Sequence, residues 1–374
     1  MRIKRFLAQK FCLTVLLLSF FVTVSFAEGS ESSTETHEKF NAGKTIIGHI
    51  TDGHSWHIME FHGEPIALPL PVILYSPDKG LSVFMSNKFE DGKADYDGFR
   101  LVGNKVVAVN ESGQVDDAKS GSIIDISITK NVASILLVAF FMVLMFTSVA
   151  KSYKKTPGKA PKGLQNVMEM LILFVRDDIA KSSIGEKHYK KYVPYLLTIF
   201  FFIWITNMLG IIPILPGGAN VMGNIAVTAT LAVLTFIITL FSAKKHYWRH
   251  IVAMPGVPAW VLIILTPIEI FGMFLKPLVL TIRLFANMLA GHIIALGFFC
   301  LIFIFGEMNT GLGLGVSIFS VAFVVFMTFL ELLVAFIQAY VFTLLSAIYF
   351  GSAVEEGHHE GEFEHNDQEQ QLLV

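Results

Sequence analysis

Between residues 251 and 350 the chain carries only five Asp, Glu, Lys or Arg side chains: Glu269, Lys276, Arg283, Glu307 and Glu331. A stretch this poor in charge reads as membrane-spanning helix. Two long helices are expected, at about 260–304 and 315–350, joined by Gly311-Leu312-Gly313-Leu314-Gly315. Forty-five helical residues extend roughly 67 Å, more than twice a hydrocarbon core of about 30 Å. Pro267 and Pro277 can kink the first helix without removing that excess, so it should lie strongly tilted in the membrane.

The rest of the chain extends the same reading. Hydrophobic residues make up 53% and charged residues 16%, against about 25% charged in soluble domains. With a formal charge of −2, no basic face points to nucleic acid, and the composition excludes a cytosolic globular protein or a wholly disordered chain. Earlier spans are expected at Val132–Val149, Pro194–Ile212 and Ile225–Phe241, with a turn at Pro213 and Pro216-Gly217-Gly218 that has no Lys or Arg. Lys151, Lys154, Lys155, Lys159 and Lys162 follow the first span, and a basic-aromatic belt, Lys244 to His250, follows the third. By the positive-inside rule both ends are cytoplasmic. Between the first two spans, Leu164, Met168, Leu171 and Val175 recur at helical spacing, which predicts one amphipathic helix over 163–187 on the cytoplasmic surface. The expected fold is an all-α polytopic membrane protein with about five transmembrane helices plus one amphipathic surface helix. The last two are long, tilted and antiparallel, and a small β-rich extracytoplasmic region precedes the spans.

Residues 1–27 read as a signal peptide. Arg2, Lys4, Arg5 and Lys10 precede an apolar run, and Ser25-Phe26-Ala27 offers small residues at a cleavage site. An uncleaved anchor helix is the alternative. Cleavage removes four cations, leaves the mature chain at −6, and takes Cys12 away from Cys300, so no intrachain disulfide can form. Residues 28–130 form an extracytoplasmic extension whose first part, 28–40, is polar and disordered in expectation. Short apolar pieces follow, at Pro65–Tyr75, Leu81–Met85, Phe99–Val102 and Lys105–Val109, with a hairpin-like turn at Gly103-Asn104. His49, His54, His57 and His62 match no metal-ligand spacing, so they read as surface or turn histidines and no metal is expected. The membrane domain is 131–350, and 351–374 is an acidic, His-rich cytoplasmic tail. No phosphate-binding Gly-rich loop is present, so the chain should not itself bind ATP, and no cofactor is implied.

Arg283 is the costly residue. Guanidinium keeps its proton in proteins, and a helix-centre Arg costs about 2.5–3.5 kcal/mol on insertion scales. Snorkelling to a headgroup is the alternative, but apolar sequence continues well beyond Arg283. Glu269, Lys276 and Arg283 are spaced by seven and share a helical face with Asn287; Glu331 and Gln338 are likewise seven apart. Mutual ion pairing between helices is the bland account of such stripes. In an antiparallel hairpin, positions whose numbers sum to about 621–623 meet, which sets Arg283 against Gln338 and His292 against Glu331. The two sites lie about 13.5 Å apart along the helix. An imidazole facing a carboxylate can load and unload protons near neutral pH, whereas either group alone could be structural. A fixed cation beside this path can hold a partner's carboxylate ionised and block direct proton leakage. No repeat of carboxylates in apolar helices occurs in this chain, so a partner must supply that acid.

The run Arg283-Leu-Phe-Ala-Asn-Met-Leu-Ala-Gly-His292 resembles the signature of subunit a of the F-type ATP synthase membrane sector. Glu331-Leu-Leu-Val-Ala-Phe-Ile-Gln-Ala-Tyr-Val-Phe342, Pro267-Ile268-Glu269 and Asn207-Met-Leu-Gly-Ile-Ile-Pro213 resemble the same family, over about 130–350. The resemblance implies that Arg283 is the stator arginine facing a rotating ring of c subunits. It implies that Asn287, His292, Glu331 and Gln338 line the extracytoplasmic half-channel, and that Glu269 belongs to the cytoplasmic exit. Some family members carry the carboxylate on the arginine helix and the histidine on the last helix; here His292 and Glu331 are exchanged. The implied partners are the c-ring, b-type peripheral stalk subunits and, through the complex, the F1 sector. The implied setting is a bacterial inner membrane, with the N-terminus outside and the C-terminus in the cytoplasm. Nothing in the resemblance transfers to residues 28–130. A proton-coupled secondary transporter would need related halves and broken helices, which the sequence lacks. A purely structural anchor would leave Arg283 unexplained.

Overall fold

The computed structural model describes residues 41–61, 64–110, 112–155, 158, 160–212, 217–252, 254 and 257–355. The expected signal peptide, the polar segment 28–40, His62, Pro213, Pro216 and the tail beyond Glu355 lie outside the described residues.

The described part opens with a short helix, α1 (Ala42–Ile50), followed by three small antiparallel sheets. The first pairs β1 (Ser55–Phe61) with β2 (Glu64–Pro69). The second places β3 (Pro71–Ser76) between β4 (Gly80–Met85) and the two-residue β7 (Ile124–Asp125). The third is the hairpin of β5 (Phe99–Val102) and β6 (Lys105–Ala108), which turns at Gly103-Asn104 with Val102 opposite Lys105, as expected from the turn residues. Val72, Leu74, Phe89, Phe99 and Val106 form the core between them. The apolar run Pro65–Tyr75 does not make one strand. It breaks at Leu70, between Pro69 and Pro71, and the halves join different sheets. A proline lacks the donor that would continue a ladder, and Leu70 bonds instead to Ser86, through both the backbone and the Ser86 hydroxyl.

His54 is buried and its Nε2 lies 2.8 Å from Asp125 Oδ2, tying the start of β1 to β7. Burial alone would raise the Asp125 carboxyl. Hydrogen bonds from His54 and Ser127 outweigh it and bring the carboxyl down from 3.8 to about 2. A group depressed on folding contributes stability that is present above its unfolded value and lost as pH falls through its folded value. The protection factors for amide exchange at Ile124–Ile126 in the intact protein, taken against the intrinsic rate at each pH, should therefore be equal at pH 7 and pH 5. They should fall between about pH 4 and about pH 2. Equal protection across that lower window would remove the pair from the account of this domain.

Among the described residues five helices are long and apolar enough to cross a membrane: α2 (Lys130–Lys155), α4 (Tyr189–Ile211), α5 (Ile225–Ser242), α7 (Ala259–Met308) and α8 (Thr310–Val354). Each matches an expected span, with its ends within a few residues of the expected ones. The buried hydroxyls of Thr235, Thr239, Thr343 and Ser346 each bond a carbonyl one turn back, which satisfies them without water. Ala335, Ala339, Thr343 and Ala347 are fully buried at spacing four. Such a stripe of small residues lets a helix backbone approach its neighbours closely. Tyr192 of α4 stacks on Phe350 of α8 with centroids 4.8 Å apart.

Three expectations need correction. The segment 163–187 is not one regular helix: α3 (Leu164–Leu173) runs into a π-helical stretch, Phe174–Lys181, and then a turn, Ser182–Ile184. The wider turn accompanies burial of Val175, Ile179 and Ala180, and the stretch packs on α4 and α8. The link between the last two helices is not the glycine run, which lies inside α8. Asn309 alone breaks the helix, with extended backbone and its side chain accepting from Gly311 N at 2.7 Å. Finally, the helical region does not end at 350, since α8 continues through Val354.

Candidate functional site

The site is built on the hairpin of α7 and α8. A sharp reversal at Asn309 requires the two backbones to touch, and glycines permit it. A Cβ on Gly313 would lie 2.7 Å from Gly306 Cα. Further along, Phe298 stacks on Phe323 with centroids 3.8 Å apart, and then His292 Nδ1 lies 3.5 Å from Glu331 Oε1. The antiparallel register expected from the sequence thus holds at these two pairs. Both side chains of the second pair are largely buried, at 17% and 12% exposure. At 3.5 Å the contact is an ion pair when the imidazole is protonated, and too long for a firm hydrogen bond. Glu331 Oε1 has no hydrogen-bond partner among the described residues.

Glycines shape this pair as well. A Cβ on Gly291 would lie 2.6 Å from Glu331 Oε1, so the missing side chain is where the carboxylate rests. A Cβ on Gly210 of α4 would lie 3.6 Å from His292 Nε2 and 3.3 Å from the Ala219 carbonyl oxygen. Gly291→Ala should therefore push the carboxylate off His292. The expected result is proton conduction lowered about tenfold or more in a complex that still assembles, read as flux per assembled complex. Unchanged flux would show that the carboxylate does not need that position.

Sequence reasoning gave no role to Thr206, Asn207 and Asn220. They are nine-tenths buried or more, and Thr206 Oγ1, Asn207 Nδ2 and Asn220 Nδ2 have no hydrogen-bond partner among the described residues. Asn207 lies one turn before Gly210 on α4. The available signal was an amide within an apolar span, three residues before a glycine.

Arg283 lies elsewhere on α7. Met273, Leu280, Leu284 and Met288 are buried against the bundle, while Lys276, Arg283 and Asn287 are exposed on a face that this chain leaves uncovered. Among the described residues Arg283 makes no hydrogen bond or ion pair. Gln338 is buried at 6% exposure and is not hydrogen-bonded to Arg283. Their expected pairing is thus not formed as a bond, because one side chain points outward and the other inward. Glu269, Lys276 and Arg283 make no ion pairs among themselves. Glu269 and Lys276 line a cavity of 180 Å³ with His246, His250 and Glu355, where α6 (Lys245–Val252) meets the far ends of α7 and α8. Lys276 also lies over the Tyr349 ring, 5.5 Å from its centroid.

Comparison with known proteins gives this geometry a family. The family model described as ATP synthase A chain matches residues 132–351. A second model, described as a domain of unknown function (DUF8433), matches residues 45–126. An ATP synthase subunit a 2 of Chlorobaculum tepidum is 48% identical over 235 residues, covering 61% of this chain and 64% of that protein. ATP synthase subunit a of Chloroherpeton thalassium is 44% identical, over 63% and 69% of the two chains. That of Myxococcus xanthus is 40% identical, over 70% and 84%. The first of these matches spans just under two thirds of the relative's length. The hairpin turn, the arginine and the His–Glu pair all fall within the matched residues, and the chain belongs to the ATP synthase A chain family.

Proposed function

We propose that this chain is the stator subunit of an F-type ATP synthase proton channel, providing two half-channels and the arginine that exchange protons with a rotating c-ring. The observation that carries the proposal is the division of labour on α7. A titratable pair, His292 and Glu331, is held inside the bundle, while a permanent cation, Arg283, stands on a face left open for a partner. Protons from the extracytoplasmic side reach His292 and Glu331 and pass along Asn287 and Gln338 to a carboxylate on the ring. Arg283 keeps that carboxylate ionised as it passes between the half-channels. Protons leave on the cytoplasmic side through the cavity at Glu269.

The basic clusters after α2 and α5 support a cytoplasmic location for those ends and an inner-membrane protein with its N-terminus outside. On this reading residues 1–27 are an export signal, 28–130 an extracytoplasmic extension, 131–350 the membrane domain and 351–374 a cytoplasmic tail. In this domain α7 and α8 run tilted through the bilayer, and 164–184 lies at its cytoplasmic surface. The chain itself is non-catalytic. It couples proton flow to ATP synthesis in the F1 sector and is held against rotation by b-type stalk subunits.

Purification of the tagged chain from its own membranes in mild detergent, followed by mass spectrometry, tests the assignment. A stoichiometric excess of one small, two-helix subunit with a membrane carboxylate is expected, together with stalk and F1 subunits. Isolation of the chain free of any such ring would overturn it.

A further inference from the structure

The domain at 45–126 is fastened to one end of the helical bundle at several points. Asp52 Oδ1 accepts from Asn131 N at 3.0 Å and its Oδ2 from the Thr129 hydroxyl at 2.8 Å, so a residue of the domain caps the start of α2. Lys130 N donates to the Gly53 carbonyl at 2.9 Å, and Lys130 Nζ to the His49 carbonyl at 3.2 Å. Trp56, 5% exposed, donates from Nε1 to the Gly217 carbonyl at 3.2 Å. Its ring is buried with Ala219 and Val221, against Ala133 and Ile135 of α2 and Val227 of α5. A tryptophan suits this place because it fills a large apolar site and still satisfies a carbonyl there.

The segment that Trp56 holds, 217–224, leads into α5 and belongs to the connection between α4 and α5. Gly218 N donates to Leu209 O at 3.3 Å, and Asn220 Oδ1 accepts from Gly223 N at 2.9 Å, which folds the segment back over the end of α4. The Ala219 carbonyl then sits on Gly210, and His292 Nε2 reaches the same glycine. The contacts run without a gap from Trp56 through Ala219 and Gly210 to His292 and Glu331.

We infer that Trp56 is a positioning residue for proton uptake: the 45–126 domain holds segment 217–224 over Gly210 and His292, and so shapes the outer mouth leading to the His292–Glu331 pair. This rests on the proposed function above. The protein does not need Trp56 for the chemistry of the pair, but it needs the roof over the pair to stay in place. Loss of the indole frees the segment, and a loosely held polar path conducts less well because groups displaced by about 1 Å no longer line up.

The test uses the whole complex in liposomes, stripped of F1, with passive proton flux driven by a potassium diffusion potential. Flux is measured against the pH on the side of the 45–126 domain and expressed per assembled ring. Trp56→Ala should lower the flux about tenfold and move the pH of half-maximal flux. Trp56→Phe, which keeps a ring but loses the N–H donor, should fall between, and it carries the test if Trp56→Ala fails to assemble. Flux and pH profile equal to those of the unaltered protein would overturn the inference. So would a loss of flux that tracks only a loss of assembled complex, with the pH profile unmoved. His292→Ala in the same vesicles separates the two proposals. If it abolishes flux while both Trp56 variants conduct normally, the positioning role falls and the channel assignment stands. If His292→Ala conducts normally, the channel assignment falls.

Discussion

Arg283→Ala is expected to abolish both ATP-driven proton pumping and proton-driven ATP synthesis in membrane vesicles, while the complex still assembles. The side chain lies on the uncovered face of α7 and holds no structural bond among the described residues, so its removal should not unfold the bundle. Its cost to insertion, about 2.5–3.5 kcal/mol, argues that it is kept for something other than stability. A guanidinium 4 Å from a partner carboxylate, at an effective dielectric of 20, is worth about 4 kcal/mol. That corresponds to about three pKa units, or roughly a thousandfold in the ratio of ionised to protonated carboxyl. Without it the ring carboxylate keeps its proton as it passes, and nothing separates the two half-channels. Arg283→Lys should recover little, because an ammonium can give up its proton in a low dielectric and guanidinium does not. Normal coupling in the Arg283→Ala vesicles would refute the assignment.

The second large effect is expected at Glu331. Glu331→Gln keeps the size and polarity of the side chain but cannot titrate, so it should slow proton flux by about a hundredfold, the scale of a lost proton-transfer group. Assembly should be spared, since the carboxylate oxygen facing His292 has no hydrogen bond to lose. Flux per assembled ring, measured with and without F1, distinguishes the effect on transport from an effect on the complex. A variant that fails to assemble, with normal flux in what remains, would instead assign the pair to holding the hairpin together.

The meeting of His292 with Glu331 was legible in the sequence for a simple physical reason. Two helices joined by a short link can pair in few registers, so the positions of a histidine and a glutamate along the chain nearly determine whether they meet. His292 and Glu331 do meet. The same reasoning set Arg283 against Gln338, yet it could not say which way each side chain turns. That depends on which neighbours cover α7, and here α4 and α5 leave the Arg283 face bare. Thr206, Asn207 and Asn220 were given no role because a polar residue in or beside an apolar span stands out as important only once its surroundings are known to lack partners.

By itself, the sequence determined roughly where each of the five apolar helices among the described residues begins and ends, and where turns such as Gly103-Asn104 fall. These follow from transfer free energies and backbone preferences, which each residue carries with it. Only the tertiary structure decided that the last hairpin turns at Asn309 rather than in the glycine run, and that 174–181 widens into a π-helical stretch. It also decided that Trp56 reaches across to Gly217. Those outcomes depend on close approach between segments far apart in the chain, where the absence of a single Cβ or the presence of one N–H donor selects among alternatives that local preference leaves equal.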